Sequence, residues 1–255
     1  MSDQAYASGA TDFSQDRRLL AIDTPLGTDE ALLISLEGED ILSRCFQYRV
    51  TIETGQTDNA IQSLLGVPVT LWLHNNNRDL RRPIHGHVRR LIGQGRTNRD
   101  TRLYQLEVAP RLWFLSCTSD CRIFQNQSIP DILQTIFTDQ GLIDVEFRLE
   151  RADYPAVEYC VQYQETALDF VSRLMEHMGL FFWHEHSADR HVLVIADRNA
   201  ATGLCQPAEM TVSPISGAGE LQSLDVDSTF RPGRWTLNDY DFQSPTKLLR
   251  VGAPT

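Results

Sequence analysis

The sequence predicts a β-rich α+β protein: a small antiparallel barrel or sandwich, then an α/β insertion, then further strand-like chain. Three observations lead there. Apolar and polar residues alternate with a period of two at several places in the first half, the mark of strands with one buried face. Two later segments switch to helical spacing and carry recognisable caps. Clusters of Gly, Asn and Asp at 54–59, 75–79 and 93–100 separate the alternating runs.

The strongest strand runs from Phe46 to Glu53, where Phe46, Tyr48, Val50 and Ile52 alternate with Gln47, Arg49, Thr51 and Glu53. Val67, Val69, Leu71 and Leu73 repeat the pattern after Gly66, and Tyr104, Leu106 and Val108 repeat it before Pro110. Ala31–Leu36 and His85–Ile92 are weaker versions. Gly86, beside His85, reads as a bulge or a close backbone approach. The first helix opens at Ser128–Ile129–Pro130–Asp131, with an N-cap and an early proline in their preferred places, and Gly141 closes it. After an extended segment, Val157–Tyr163, a second helix opens with Thr166 and Asp169 as a variant capping box. Phe170, Val171, Leu174, Met175 and Met178 form its stripe and Gly179 ends it. A hairpin follows, Leu180–His186 and His191–Ala196 around a Ser187–Arg190 turn. Residues 200–220 read as a linker, and Leu221–Phe230 with Arg234–Phe242 as two more strands around Arg231–Pro232–Gly233.

Composition limits the function. The 255 residues carry a net charge of −11, which argues against a general nucleic-acid binder. No stretch is long and apolar enough for a membrane helix, and residues 1–16 lack the features of a signal peptide, reading instead as a flexible leader. Five scattered cysteines, Cys45, Cys117, Cys121, Cys160 and Cys205, suggest reduced thiols. Cys117 and Cys121 are too widely spaced for a redox pair and read as small buried side chains.

Candidate chemistry is sparse. His184 and His186 share one face of the predicted hairpin and His191 lies on the returning strand, so three imidazoles could grip zinc. The plainer reading is a polar, solvent-facing side whose other face holds Phe181 and Trp183. His85 and His87 form a second same-face pair. No nucleophile elbow or phosphate-binding loop occurs. Glu165 and Asp169 are placed to face each other at the start of the second helix, where capping and dipole effects account for them. No catalytic residue, cofactor or metal is therefore expected.

Charge distribution is more informative. Eight arginines (78, 81, 82, 89, 90, 96, 99 and 102) stand against Asp79 and Asp100, a strip of +6 in a chain of −11. A solvated pair of strands explains it plainly; a docking surface for an acidic partner, at Arg81, Arg82, Arg89 and Arg90, explains it more sharply. Nucleic acid is disfavoured, because interleaved aromatics are missing there.

Longer phrases then become recognisable: Thr24–Pro25–Leu26–Gly27 before Leu32–Leu33, Glu37–Gly38–Glu39, LSRCFQYRV at 42–50, LLGVPVTL at 64–71 and RRPIHGHV at 81–88. They continue as YQLEVAPRLWFL at 104–115, SDCRIFQNQSIPDIL at 119–133, EYCVQYQETALDFVSRLMEHMGLFFW at 158–183 and LNDYDFQSP at 237–245. Over roughly residues 19 to 250 the chain resembles the N-terminal part of the VgrG family, the spike proteins of bacterial type VI secretion systems.

The resemblance implies a fold related to the hub of a contractile phage tail, with two tube-like β-barrels per chain and α/β segments between them. It implies a homotrimer whose six barrels match the hexameric rings of the tube protein Hcp, with effector or adaptor proteins as further partners. It implies no nucleic acid, no membrane anchor, no cofactor and no enzymatic step, and a life in the bacterial cytoplasm before secretion by the type VI system. A spike-associated cell-wall hydrolase and an effector-carrier adaptor are the alternatives. On this reading residues 1–16 are a leader, 17–115 the first barrel and 116–179 an α/β insertion with two helices. Residues 180–255 are then a hairpin, a linker and an incomplete second barrel, the chain ending at Thr255 before the needle. Tyr159, Tyr163, Phe170, Leu174 and Met175, within the matching phrases, read as core before interface.

Overall fold

Period-two alternation in the first half resolves into one six-stranded antiparallel sheet. Its strands are β1 (Leu20–Asp23), β2 (Leu32–Glu39), β3 (Gln47–Thr54), β4 (Pro68–His74), β5 (Arg81–Arg96) and β6 (Arg102–Ala109). The computed structural model describes residues 13–74, 81–97, 100–151, 153–203, 224–230 and 232–254. Strand order is β1-β4-β5-β6-β3-β2, and the two outer strands touch, so the sheet curls into a nearly closed barrel. The curl has a local cause. β5 is its longest strand, and register shifts at Val88/Arg90 and Gly93/Gly95 bend it against β6.

The barrel core is the set the alternation picked out: Phe46, Tyr48, Val50 and Ile52 from the β3 run, with Val69, Leu71, Leu106 and Val108 facing them. One helix was not legible as such. α1 (Asp58–Gln62), capped by Thr57, begins within the segment expected as a loop, and with the turn after it drives Ile61 and Leu64 into the barrel core. Gly86 meets the close approach expected of it. A Cβ there would sit 2.6 Å from Val108 Cγ1 and 3.1 Å from the ring of Phe46. Gly86→Ala is therefore expected to cost about 1–3 kcal/mol, as overpacking does, read as a lower urea midpoint at unchanged slope.

After a 3₁₀ turn (Arg111–Cys117), the chain builds an α/β module. β7 (Ser119–Gln127) pairs antiparallel with β9 (Val157–Thr166), and β8 (Val145–Arg148) runs parallel to β11 (His191–Ala196), which forms a hairpin with β10 (Phe181–His186). α2 (Ile129–Asp139) and α3 (Ala167–Met178) pack their apolar stripes into one core with Phe124, Leu193 and Ile195. Both caps are as expected: Ser128 Oγ accepts from the Asp131 N–H, Thr166 Oγ1 accepts from the Asp169 N–H, and Gly179 closes α3 at a φ of +70°. The β10–β11 hairpin belongs to this core, since Phe182, Leu193 and Ile195 lie in it.

The chain divides into two compact units, Met1–Ala208 and Glu209–Thr255. In the second, β12 (Arg234–Asp239) pairs antiparallel with β13 (Leu249–Pro254). This corrects the expected pairing. Residues 224–230 carry no regular structure, and the partner of β12 comes from the chain after it. Trp235, Leu237 and Val251 of this hairpin are exposed. Residues 1–12 and most of the expected linker lie outside the described residues, while Gln15 at the end of the expected leader exchanges two hydrogen bonds with the backbone of Ile22.

Candidate functional site

The four arginines expected to dock a partner fall at two places on β5. Strand rise of about 3.3 Å per residue separates Arg81–Arg82 from Arg89–Arg90 by roughly 25 Å. Arg89 and Arg90 both pair with Glu107 on β6, at 3.0 and 3.4 Å. Arg96 pairs with Asp100, and Arg102 with Asp58, which also accepts from the Tyr104 hydroxyl. Arg78, Asp79 and Arg99 lie outside the described residues. The strip is therefore partly neutralised within the barrel, and Arg81 and Arg82 remain as exposed cations with no ion pair among the described residues. Arg81 is nonetheless held: its guanidinium lies 3.4 Å over the Trp72 ring, and Trp72 Nε1 donates to Asp23 at 2.6 Å.

The histidines overturn the plainer sequence reading. On β10 the inward face is Phe182, His184 and His186, while Phe181 and Trp183 are the half-exposed ones. The reason is tertiary. The hairpin lays its imidazole face against the start of β3 and the middle of β5, where His85 and His87 meet it. Phe46 sits among the rings, its centroid 5.0 Å from both His184 and His186 and 5.7 Å from His191. His191 has His85, His87, His184 and His186 all within 5.1 to 6.1 Å.

Few hydrogen bonds serve these rings. The Arg111 N–H donates to His191 Nε2 at 2.9 Å, and His191 Nδ1 lies 2.9 Å from His85 Nδ1. His186 Nδ1 lies 3.2 Å from the His85 N and 3.1 Å from its carbonyl oxygen. Both nitrogens of His184, Nε2 of His186 and Nδ1 of His87 are buried without a hydrogen-bond partner. Burial disfavours the charged form and holds all five rings below the usual imidazole range. His87 and His186 are pushed down to about 4, His184 to about 3 and His191 to about 2, while His85 is lowered against the pull of Asp189 and Asp144. Among the described residues no group of three or more His, Cys, Asp or Glu is arranged to hold a metal ion. A cleft of about 260 Å³ opens onto His85, His87 and His191, edged by Arg111, Asp144 and Asp189.

Other residues named from sequence are redistributed. Cys117 and Cys121 are exposed rather than buried, because Cys121 falls on the outer face of β7; Cys160 alone of the described cysteines is buried. Phe170, Leu174 and Met175 are core, but Tyr159 and Tyr163 are 55% and 68% exposed, on the outer face of the β7–β9 ribbon with Ile123. Glu165 belongs to β9, not the helix, and pairs with Arg173 at 2.6 Å rather than facing Asp169, which is engaged by Thr166.

With this geometry in hand, comparison with known proteins is specific. The chain is 41% identical over 247 residues to the type VI secretion system spike protein VgrG1c of Pseudomonas aeruginosa, covering 94% of this chain and 33% of that protein. It is 39% identical over 246 residues to VgrG1b of the same organism, covering 93% and 32%. The chain thus spans about a third of the length of these curated relatives. Among solved structures, a type VI secretion component of Escherichia coli, described as similar to the T4 bacteriophage tail proteins gp27 and gp5, superposes with a TM-score of 0.61 at 25% identity. That superposition covers 71% of this chain and 49% of the other. The family model for the phage tail baseplate hub (GPD) matches residues 39–255. A β-barrel with an α/β module, matched along most of its length to spike and hub proteins, belongs to the phage tail baseplate hub family.

Proposed function

We propose that this chain is the hub portion of a type VI secretion spike, trimeric in its complete form and docking onto the hexameric Hcp tube as a symmetry adaptor during effector delivery. The observation that carries this reading is the match to the baseplate hub family along residues 39–255. A curved six-stranded sheet supports it, since a tube-like barrel is the unit from which a ring can be built. The exposed apolar face of the β12–β13 hairpin supports a second barrel begun by this unit. The spike-protein description of the P. aeruginosa relatives favours a structural role over a cell-wall hydrolase. On this reading the protein resides in the bacterial cytoplasm before firing and leaves by the type VI system without a signal peptide, with effector or adaptor proteins as further partners.

Arg81 and Arg82 are the better half of the expected docking surface, because reversing Arg89 or Arg90 would also set two carboxylates against each other at Glu107. Arg81→Glu with Arg82→Glu is expected to weaken co-sedimentation with Hcp rings roughly tenfold at low salt, with the difference shrinking as salt screens it. Equal co-sedimentation of the two proteins, with both folded by circular dichroism, removes the docking face from the proposal.

A further inference from the structure

The seam between the barrel and the α/β module is made of unusual material. Beside Phe46, Cys45 packs against the module core and Arg89 lies 5.0 Å over the Trp113 ring, but most of the seam is the five histidines, with Phe114 next to His87, and a few single hydrogen bonds. Ser43 N–H donates to the Phe182 carbonyl at 2.8 Å, and Thr70 Oγ1 to the Ala188 carbonyl at 2.8 Å. Imidazoles with orphaned nitrogens fill a place where aliphatic side chains would pack at no polar cost. We propose that the five-histidine seam is an acid-released latch, which joins barrel to module while its rings are neutral and lets them part when they charge.

Hydrogen-bond logic fixes the protonation state that the closed seam requires. The Arg111 N–H can only donate, so His191 Nε2 must be the acceptor and the ring's proton must sit on Nδ1. That proton is then donated to His85 Nδ1, which must be bare, so His85 carries its proton on Nε2. The relay from Arg111 through His191 to His85 works with two neutral rings of opposite tautomer. A further proton on either ring places two donors face to face at 2.9 Å. The latch is therefore broken by geometry as well as by desolvation.

Countercharge is too scarce to rescue it. From the Gly141–Asp144 loop and the hairpin turn, Asp144 and Asp189 face His85, but Arg190 lies 3.7 Å from Asp144 and Ser187 engages Asp189. Arg111 faces His87 and Arg82 faces His186, both adding positive charge. Among the described residues the β3 side presents Phe46 and the Cys45 thiol, which burial pushes up to about 12 and so keeps neutral, with Arg89 beside it as a further positive charge. Once charged, His184 and His191 face mainly other imidazoles.

Amide exchange on the full chain tests the latch. The N–H groups of Ser43, His85 and Arg111 donate across the seam, whereas those of Val50 and Leu106 lie inside the barrel ladder. Between about pH 7.5 and pH 4.5 the seam amides are expected to lose protection by at least about tenfold, corrected for intrinsic rates, while the barrel amides keep theirs. His184→Leu removes one chargeable ring that makes no hydrogen bond, so it is expected to move the opening midpoint acidward. Should that variant misfold, a pH titration of the imidazole signals in the unmodified chain decides the matter. Loss of seam and barrel protection together, unchanged seam protection at pH 4.5, or imidazoles titrating near 6.5 would each overturn the proposal.

Discussion

Phe46→Ala is expected to destabilise the folded chain by about 3–5 kcal/mol at neutral pH, and by clearly less near pH 5. Phe46 is 1% exposed, packs in the barrel core beside Tyr48, and turns its outer face to His184, His186 and His191. Its removal leaves a cavity with apolar walls on the barrel side and unpartnered ring nitrogens on the other. Water enters a cavity that offers it polar partners. Once wet, the imidazoles no longer bear the full desolvation that holds them neutral, and they protonate at less acidic pH. The variant then loses less than the parent on acidification, so the gap between the two narrows. Phe170→Ala is the contrast. Phe170 is fully buried and stacks on Phe124 in the core of the α/β module. A loss of similar size that does not narrow in acid is expected there. Urea titrations of the three proteins at two pH values check both statements, and parallel pH profiles for Phe46→Ala and Phe170→Ala would remove the link between Phe46 and the histidines.

Strands of the barrel were legible wherever one face meets the core and the other meets water. The Phe46–Ile52 and Tyr104–Val108 alternations needed no tertiary information, because a barrel wall has an inside and an outside all along those strands. β7 escapes that reading. Ser119–Gln127 carries polar residues on both faces and buries only Phe124, since its outer side stays in solvent and the sheet it forms with β9 is only two strands wide. β8 is too short to show a period, and its order comes from lying parallel to β11. The β12–β13 pairing was hidden for a related reason: its residues are nearly all exposed, so no buried face marks the register.

The histidine seam was half legible. The pairs at 85/87 and 184/186 announce two faces, but both faces of β10 carry aromatics, Phe181 and Trp183 on one and Phe182 on the other. Nothing local says which turns inward. The decision lies in contacts between residues more than a hundred apart, such as His85 with His186 and with His191. The arginine strip was legible as charge but not as pairing. Its charges were counted correctly, but two carboxylates on neighbouring elements, Glu107 and Asp58, engage three of the described arginines in it and offset two of their charges.

Acid is expected to destabilise the joined barrel and module at a higher pH than the carboxylates alone would allow, opening the seam while the barrel ladder stays folded. A histidine whose folded pKa is depressed binds a proton more readily in the unfolded chain. Its contribution is therefore complete above the unfolded value near 6.5 and is lost as pH falls toward the folded value. For His87, His184, His186 and His191 that window opens near 6.5 and closes at about 4 or below. The depressed carboxylates, Asp58, Glu146, Glu185, Asp189 and Asp197, lose their contribution only below about pH 4.5. Asp40, raised by burial, works against the trend and favours the folded state in acid. The interval from about pH 6.5 to 4.5 thus isolates the histidines. Each ring contributes a slope of at most about 1.4 kcal/mol per pH unit, so two rings behaving independently remove about 5 kcal/mol across it. That is a large share of an ordinary domain's stability, about 5–15 kcal/mol, and it bears on the seam rather than on the barrel ladder. Urea midpoints should therefore fall steeply between pH 6.5 and 4.5. In His184→Leu the fall should be shallower, with neutral-pH stability equal to or above that of the parent, because both nitrogens of the lost ring were buried without partners. A flat profile down to pH 4.5 would mean that the rings protonate within the folded chain, and would overturn the assignment of this acid loss to the histidines.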